Sequence, residues 1–220
     1  MGTITRSFAN NITTSGVLLP ASLNNNSIAN VTAYNVAVAT GNMVLLSSQT
    51  ASDSATVSFT TGIDSTYKEY QFWFIDIHPR TDSVSFVFNL STDSGSNYNV
   101  TKTTTVFRAY NREDDVVTAL GYEATFDLAQ STNFQQVADG IDNGADANLG
   151  GSMSLFNPAS TTYVKHFISN VTFMAHSGTA EYSMNHYTAG YGNTTSAVNA
   201  VQFKMSSGNF DGTILLFGIK

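Results

Sequence analysis

Four histidines, His78, His166, His176 and His186, are the residues of this chain best suited to ligate a metal or act as a base. None stands in an HExxH or other close ligand spacing, so each reads as a structural residue. The chain has no cysteine, which removes disulfides, thiolate metal sites and cysteine nucleophiles together. A G-x-S-x-G nucleophile elbow is missing as well. Glycoside hydrolysis needs only two carboxylates placed by the fold, and Asp76, Glu113, Asp114, Asp115, Asp127 and Glu181 are available for it. A surface-polysaccharide depolymerase therefore stays open as an alternative to a non-enzymatic chain. The stretch from Asp139 to Gly151 spaces aspartates and glycines as a calcium loop would. With Gly144 at the sixth position of an EF-hand, however, Ile141 falls on a ligand position and Gly150 where the closing Glu belongs. It is read as a long solvated loop, and no metal or cofactor is expected. The best binding candidate is Tyr182 to Asn193, with Tyr182, His186, Tyr187 and Tyr191. Tyrosines beside glycines on a loop offer flat amphipathic surfaces on which a sugar ring can stack while hydroxyls and amides hydrogen-bond it. The alternative, that Tyr182 and Tyr187 fill a core or a subunit interface, remains beside it.

The elements that must position these residues read as strands. Ala55, Val57 and Phe59 alternate with Thr56, Ser58 and Thr60, and Val84, Phe86, Phe88 and Leu90 alternate with Ser85, Val87 and Asn89. This is the period of a half-buried strand. Between them, Tyr70 to Ile77 is apolar on both faces from Phe72 to Ile75, which predicts a central strand covered on each side. Turn chemistry separates the runs at Gly62–Ser65, His78–Asp82 and Asp93–Asn97. Further strands are expected at Tyr98–Arg108, Met153–Phe156, Thr162–Ile168, Asn170–Ala175, Ala180–His186, Val198–Met205 and Thr213–Ile219. Asn111–Asp115 reads as a solvated turn, and Phe126–Gln130 as a short helical turn or a strand. About ten strands with under roughly one tenth helix, against a usual share near 30%, predict an all-β antiparallel β-sandwich, jelly-roll-like. It should span residues 43–220 and follow an extended N-terminal arm at 1–42. That arm carries a single charge, Arg6, and few large apolar groups. It cannot fold on its own burial, so it either orders against a neighbour or stays a loose tail.

Composition narrows the function further. Charged residues make up 11% of the chain, well below the ~25% of an average domain, so the surface must be built from Ser, Thr, Asn and Gln. Fifteen Phe, ten Tyr and one Trp supply the core. Net charge is −7 and the nine basic residues are scattered singly, which argues against nucleic acid as a partner. No run of 18 apolar residues and no charged-then-apolar leader occurs, so neither membrane insertion nor secretory export is expected.

A resemblance enters on particular segments. FTTGIDSTYKEYQF, FIDIHPRTD, STDSGSNYNVTKTTT, FRAYN and the closing GTILLFGIK, with the opening MGTITRSFANNITTSGV, resemble tail-fibre and other virion structural proteins of marine bacteriophages. The resemblance implies a virion protein assembled in the host bacterial cytoplasm. It implies a tail-fibre or receptor-binding component for host attachment, with a capsid head-decoration protein as the alternative. Its expected partners are further copies of itself, three by the way phage fibres are built, other virion proteins through the arm, and a host surface glycan. The resemblance brings no catalytic motif.

Overall fold

The computed structural model describes residues 42–177 and 180–220. The expected arm at 1–42 therefore lies, but for Asn42, outside the described residues. Twelve strands follow: β1 (Met43–Ser54), β2 (Thr56–Phe59), β3 (Glu69–Pro79), β4 (Val84–Ser91), β5 (Lys102–Arg112), β6 (Thr118–Tyr122), β7 (Gln135–Ile141), β8 (Leu149–Phe156), β9 (Lys165–Ser177), β10 (Ala180–Gly192), β11 (Ala200–Met205) and β12 (Phe210–Ile219). Every pairing between them is antiparallel, and no helix occurs among the described residues. The all-β antiparallel fold expected from the alternation is the fold observed.

Its order is that of a jelly roll. Eight strands, β1, β2, β3, β4, β7, β8, β11 and β12, pair first with last and so inward: β1 with β12, β2 with β11, β3 with β8, β4 with β7. Links between β12 and β3 and between β11 and β4 complete two sheets, β1-β12-β3-β8 and β2-β11-β4-β7, the double-sheet arrangement of jelly rolls. Two hairpins are inserted, β5–β6 between β4 and β7, and β9–β10 between β8 and β11. They pair with each other through β5 and β10 and join β8 through β9, extending the first sheet to β9-β10-β5-β6. A single pair, Ile141 with Ala175, ties this extension to β7. At the far side Gln49 donates its amide to the Ser58 carbonyl at 2.8 Å, so the sandwich is nearly closed as a flattened barrel.

Phenylalanines fill the space between the sheets. Phe203 on β11 lies 5.2 Å from Phe72 and from Phe74 on β3, and 5.8 Å from Phe86 on β4. Phe88 meets Phe167 of β9 edge-on at 5.0 Å. Each such fully buried ring contributes roughly 1.5–3 kcal/mol, and these side chains are at most 1% exposed apart from Phe74.

Two expectations are exchanged by the structure. β3 is not covered on both sides: Phe72 and Phe74 are buried, but Trp73 is 38% and Ile75 41% exposed on the outer face. The strand buried along its whole length is β4, read from sequence as half-exposed. Its outer face is covered by connecting chain, which supplies hydrogen bonds to polar side chains in place of apolar contact. Asn89 donates to the carbonyls of Tyr98 and Thr132, and the buried Lys102 donates to Asn89 and to the Val100 carbonyl. Ser85 donates to Asp139 at 2.7 Å.

Boundaries shift in four further places. The long loop from Asp139 contracts to 142–148, because β7 runs to Ile141 and β8 begins at Leu149. His78 holds this connection, its Nδ1 lying 2.7 Å from the Ala147 carbonyl oxygen. The strands expected at Thr162–Ile168 and Asn170–Ala175 merge into one, β9, which begins only at Lys165, and Phe126–Gln130 is neither helix nor strand. The strand β6 was not anticipated.

Candidate functional site

The four residues singled out from sequence all sit on β10, which is strand up to Gly192 and not a loop beyond His186. Alternation then divides them between its two faces. Tyr182 and His186 share the inner face with the buried Met184 and Thr188, while Tyr187 and Tyr191 point outward. The glycines nearby serve close strand approach and not loop freedom: a Cβ on Gly190 would come within 2.5 Å of the Thr103 carbonyl oxygen on β5.

His186 is 1% exposed and lies between Phe173, 5.0 Å away edge-on, and Phe126, 5.9 Å away. Burial pushes its imidazole down to about 4, and the charge of Arg108 pushes the same way. Its Nε2 meets no protein partner. A neutral ring sealed from solvent neither binds a surface ligand nor relays protons to one, so His186 belongs to the packing.

The inner face of β10 and β5 opens at one end into a cleft of about 350 Å³, lined among others by Arg108, Tyr110, Asp139, His176 and Tyr182. Its polar groups already have partners within the chain. Arg108 forms an ion pair with Glu123 at 2.7 Å and lies over the Tyr110 and Phe126 rings at 5.6 and 5.4 Å. Asp139 accepts from Ser85, and His176 stands 4.0 Å from Glu181. The rings of Tyr110 and Tyr182 meet edge-on at 6.0 Å. No three His, Asp or Glu side chains converge to hold a metal among the described residues. In the 142–148 connection, Asp142 accepts the Gly144 amide, so one of the aspartates considered for calcium caps its own turn.

The outer face of the large sheet is built differently. One row of paired residues crosses seven strands, from Leu215 through Trp73, Ser152, Asn170, Tyr187 and Phe107 to Tyr122. At about 4.8 Å between strands it is roughly 29 Å long. At one end Trp73 packs against Phe217 at 5.0 Å, with Ile75 and Leu45 exposed beside it. At the other, Tyr187 stacks on Phe107 at 4.8 Å with only 22° between the rings, and Phe107 is 42% exposed. Tyr122, 56% exposed, is next in the row and its hydroxyl donates to Asp127. Beside this aromatic pair Asn185 donates to Asn170 at 2.8 Å, and Asn170, Asn185, Thr105 and Thr172 all face solvent. Tyr191 belongs to a neighbouring row, 5.9 Å from the exposed His166. Of the candidates, then, Tyr187 and Tyr191 share a surface and Tyr182 and His186 do not join them. Phe107, Tyr122 and Trp73 were missed. The available signal was an aromatic on the solvent parity of a threonine-rich strand, Thr103-Thr105-Phe107. Compared with known proteins, the chain matches no family model, no curated protein and no solved structure.

Proposed function

We propose that this chain is a non-enzymatic bacteriophage virion protein, a tail-fibre or receptor-binding component that holds a host surface glycan on the outer face of its large sheet. The observation that carries the reading is the solvent-facing Phe107–Tyr187 stack with the Asn170–Asn185 amide pair beside it. Aromatic faces accept the C–H side of a sugar ring, and neighbouring amides and hydroxyls bond its edge. The jelly roll is a scaffold of lectin and viral capsid domains alike, and the segments that resemble phage virion proteins run through β3, β5 and β12. Purified full-length protein on a glycan array should bind a restricted set of sugars and release no reducing ends from them. Tyr187→Ala and Phe107→Ala should each weaken that binding at least tenfold while the circular dichroism spectrum stays unchanged. Binding that ignores both substitutions, or no binding at all, overturns the glycan reading.

The Trp73–Phe217 end of the same face favours a second reading, a head-decoration protein that grips a capsid lattice. Trp73, Ile75 and Leu45 are exposed together there, and aromatic and apolar side chains fill the core of a protein contact. Immunogold labelling of particles separates the two, with label on tails supporting attachment and label on heads supporting decoration. In either setting the chain associates with its own copies.

A further inference from the structure

We infer that two copies of this chain join through β6, edge to edge and antiparallel, to make one continuous sheet. This deepens the self-association just proposed by naming its surface. β6 is paired on one side only, with β5, and among the described residues no strand lies beyond it. Its pairing with β5 is unbroken from Phe107–Tyr122 to Asn111–Thr118. All five of its residues are exposed, with Leu120 at 74%.

Proteins usually blunt such an edge with bulges, short length, charge or proline. The rest of this molecule does so. β1 is interrupted twice, between Leu45 and Ser47 and between Ala51 and Ser54, and β2 is only four residues long. β6, Thr-Ala-Leu-Gly-Tyr, is itself only five residues long, but it has no charge, no proline and no bulge. An edge left open where the others are protected is an edge built for pairing.

The occupant follows from the backbone. The Arg112 amide donates to the Val117 carbonyl and the Glu123 amide to the Val106 carbonyl. By the alternation of an antiparallel ladder, Ala119 and Gly121 also turn their backbone groups to β5. Thr118, Leu120 and Tyr122 therefore turn theirs outward. A second β6 running antiparallel, with Leu120 opposite the same residue of the other copy, sets Thr118 opposite Tyr122 at both ends. Every outward amide and carbonyl of the two strands is then used, whereas a shift of two residues leaves a third of them unmet. A two-fold axis perpendicular to the sheet relates the copies, the usual symmetry of a homodimer. Leu120 meets its counterpart on the outer face, and three of the acids flanking β6 are already engaged, Glu123 by Arg108, Asp114 by Arg112 and Asp127 by Tyr122. Both Phe107–Tyr187 stacks remain on the same side of the joined sheet, so the dimer presents its receptor surface twice.

Sedimentation velocity of the full chain should give a dimer at micromolar concentration, or an even-numbered assembly built from it. Leu120→Lys places two ammonium groups opposite each other and should weaken this association at least tenfold without changing the circular dichroism spectrum. Val116→Lys, exposed in the β5–β6 turn, should leave it unaltered. Because the chain has no cysteine, Leu120→Cys gives a single thiol that the pairing holds about 5.5 Å, Cα to Cα, from its counterpart, within disulfide reach. It should oxidise to a covalent dimer many times faster than Tyr163→Cys, which is 70% exposed elsewhere. An assembly, trimeric or other, that ignores Leu120→Lys overturns the edge pairing and leaves self-association standing. A monomeric wild-type chain overturns both. Equal oxidation of the two cysteine variants overturns the pairing. None of these measurements involves a glycan, so they stand apart from the receptor test.

Discussion

The eight-strand jelly roll and the inserted β9-β10-β5-β6 extension are made from the same kinds of residue and held in opposite ways. Between the framework sheets, ring meets ring: Phe203 has five other phenylalanines within 6.3 Å. The inner face of β5 and β10 instead carries Thr104, Arg108, His186 and Thr188 beside Val106 and Met184. It is covered by the irregular segment between β6 and β7, whose contacts mix hydrogen bonds and rings: the Leu128 amide donates to the Thr104 hydroxyl, and Phe126 stacks on His186. At β6 the cover runs out. A second sheet can bury apolar side chains, whereas a covering loop must be met with hydrogen bonds. The framework thus holds the fold, and the extension is free to present a surface.

The largest test of this contrast is Phe203→Ala. It opens a cavity at the meeting point of both sheets and should cost about 3–5 kcal/mol, read as a fall in the urea midpoint. A comparable loss from truncating Val106, buried in the extension, would erase the distinction. Next comes His186. Its folded pKa is lowered to about 4 against about 6.5 in an unfolded chain, so the unfolded chain binds the extra proton between these values. Stability should therefore be complete above about pH 6.5 and fall as pH drops toward 4, by roughly 3 kcal/mol in all. His186→Phe should flatten this dependence, and a curve unchanged by the substitution would mean that the ring is not sealed. Tyr187→Ala should touch function more than folding, with at least tenfold weaker glycan binding and a loss of unfolding free energy under about 1 kcal/mol. The smallest effect belongs to Leu120→Lys, which should leave the unfolding of the separated monomer within about 0.5 kcal/mol of wild type while abolishing its pairing.

Strand period and turn chemistry were legible in the sequence, because a half-buried strand writes both into its residues. What covers a strand was not. Phe72-Trp-Phe-Ile75 and Val84-Ser-Phe-Val87 were assigned opposite surroundings from their side chains. The reversal arises because connecting chain buries Asn89 and β7 buries Ser85 by hydrogen bonding, while the sheet face bearing Trp73 and Ile75 is left open. The jelly-roll order rests on pairs such as Met43 with Ile219, whose partners no local pattern connects. At the candidate site, Tyr182, His186, Tyr187 and Tyr191 were picked out together, and only the strand alternation of β10 separates the outward Tyr187 and Tyr191 from the inward pair. Gly190 and Gly192 suggested a loop because a glycine needed for close strand approach looks, in sequence, like one needed for a turn. Phe107 acquires meaning only from its register with Tyr187, a relation between two separate insertions.

That register bears on how such a surface can change over generations. β5 and β10 face each other without a break from Lys102–Gly192 to Arg112–Tyr182, yet they are encoded far apart. A replacement at Phe107 alters the seat of Tyr187, and a side chain added at Gly190 collides with Thr103. Heritable variation on this face should therefore arrive as compensated pairs drawn from two distant stretches of the gene, and both stretches can drift in concert while the eight framework strands keep their residues.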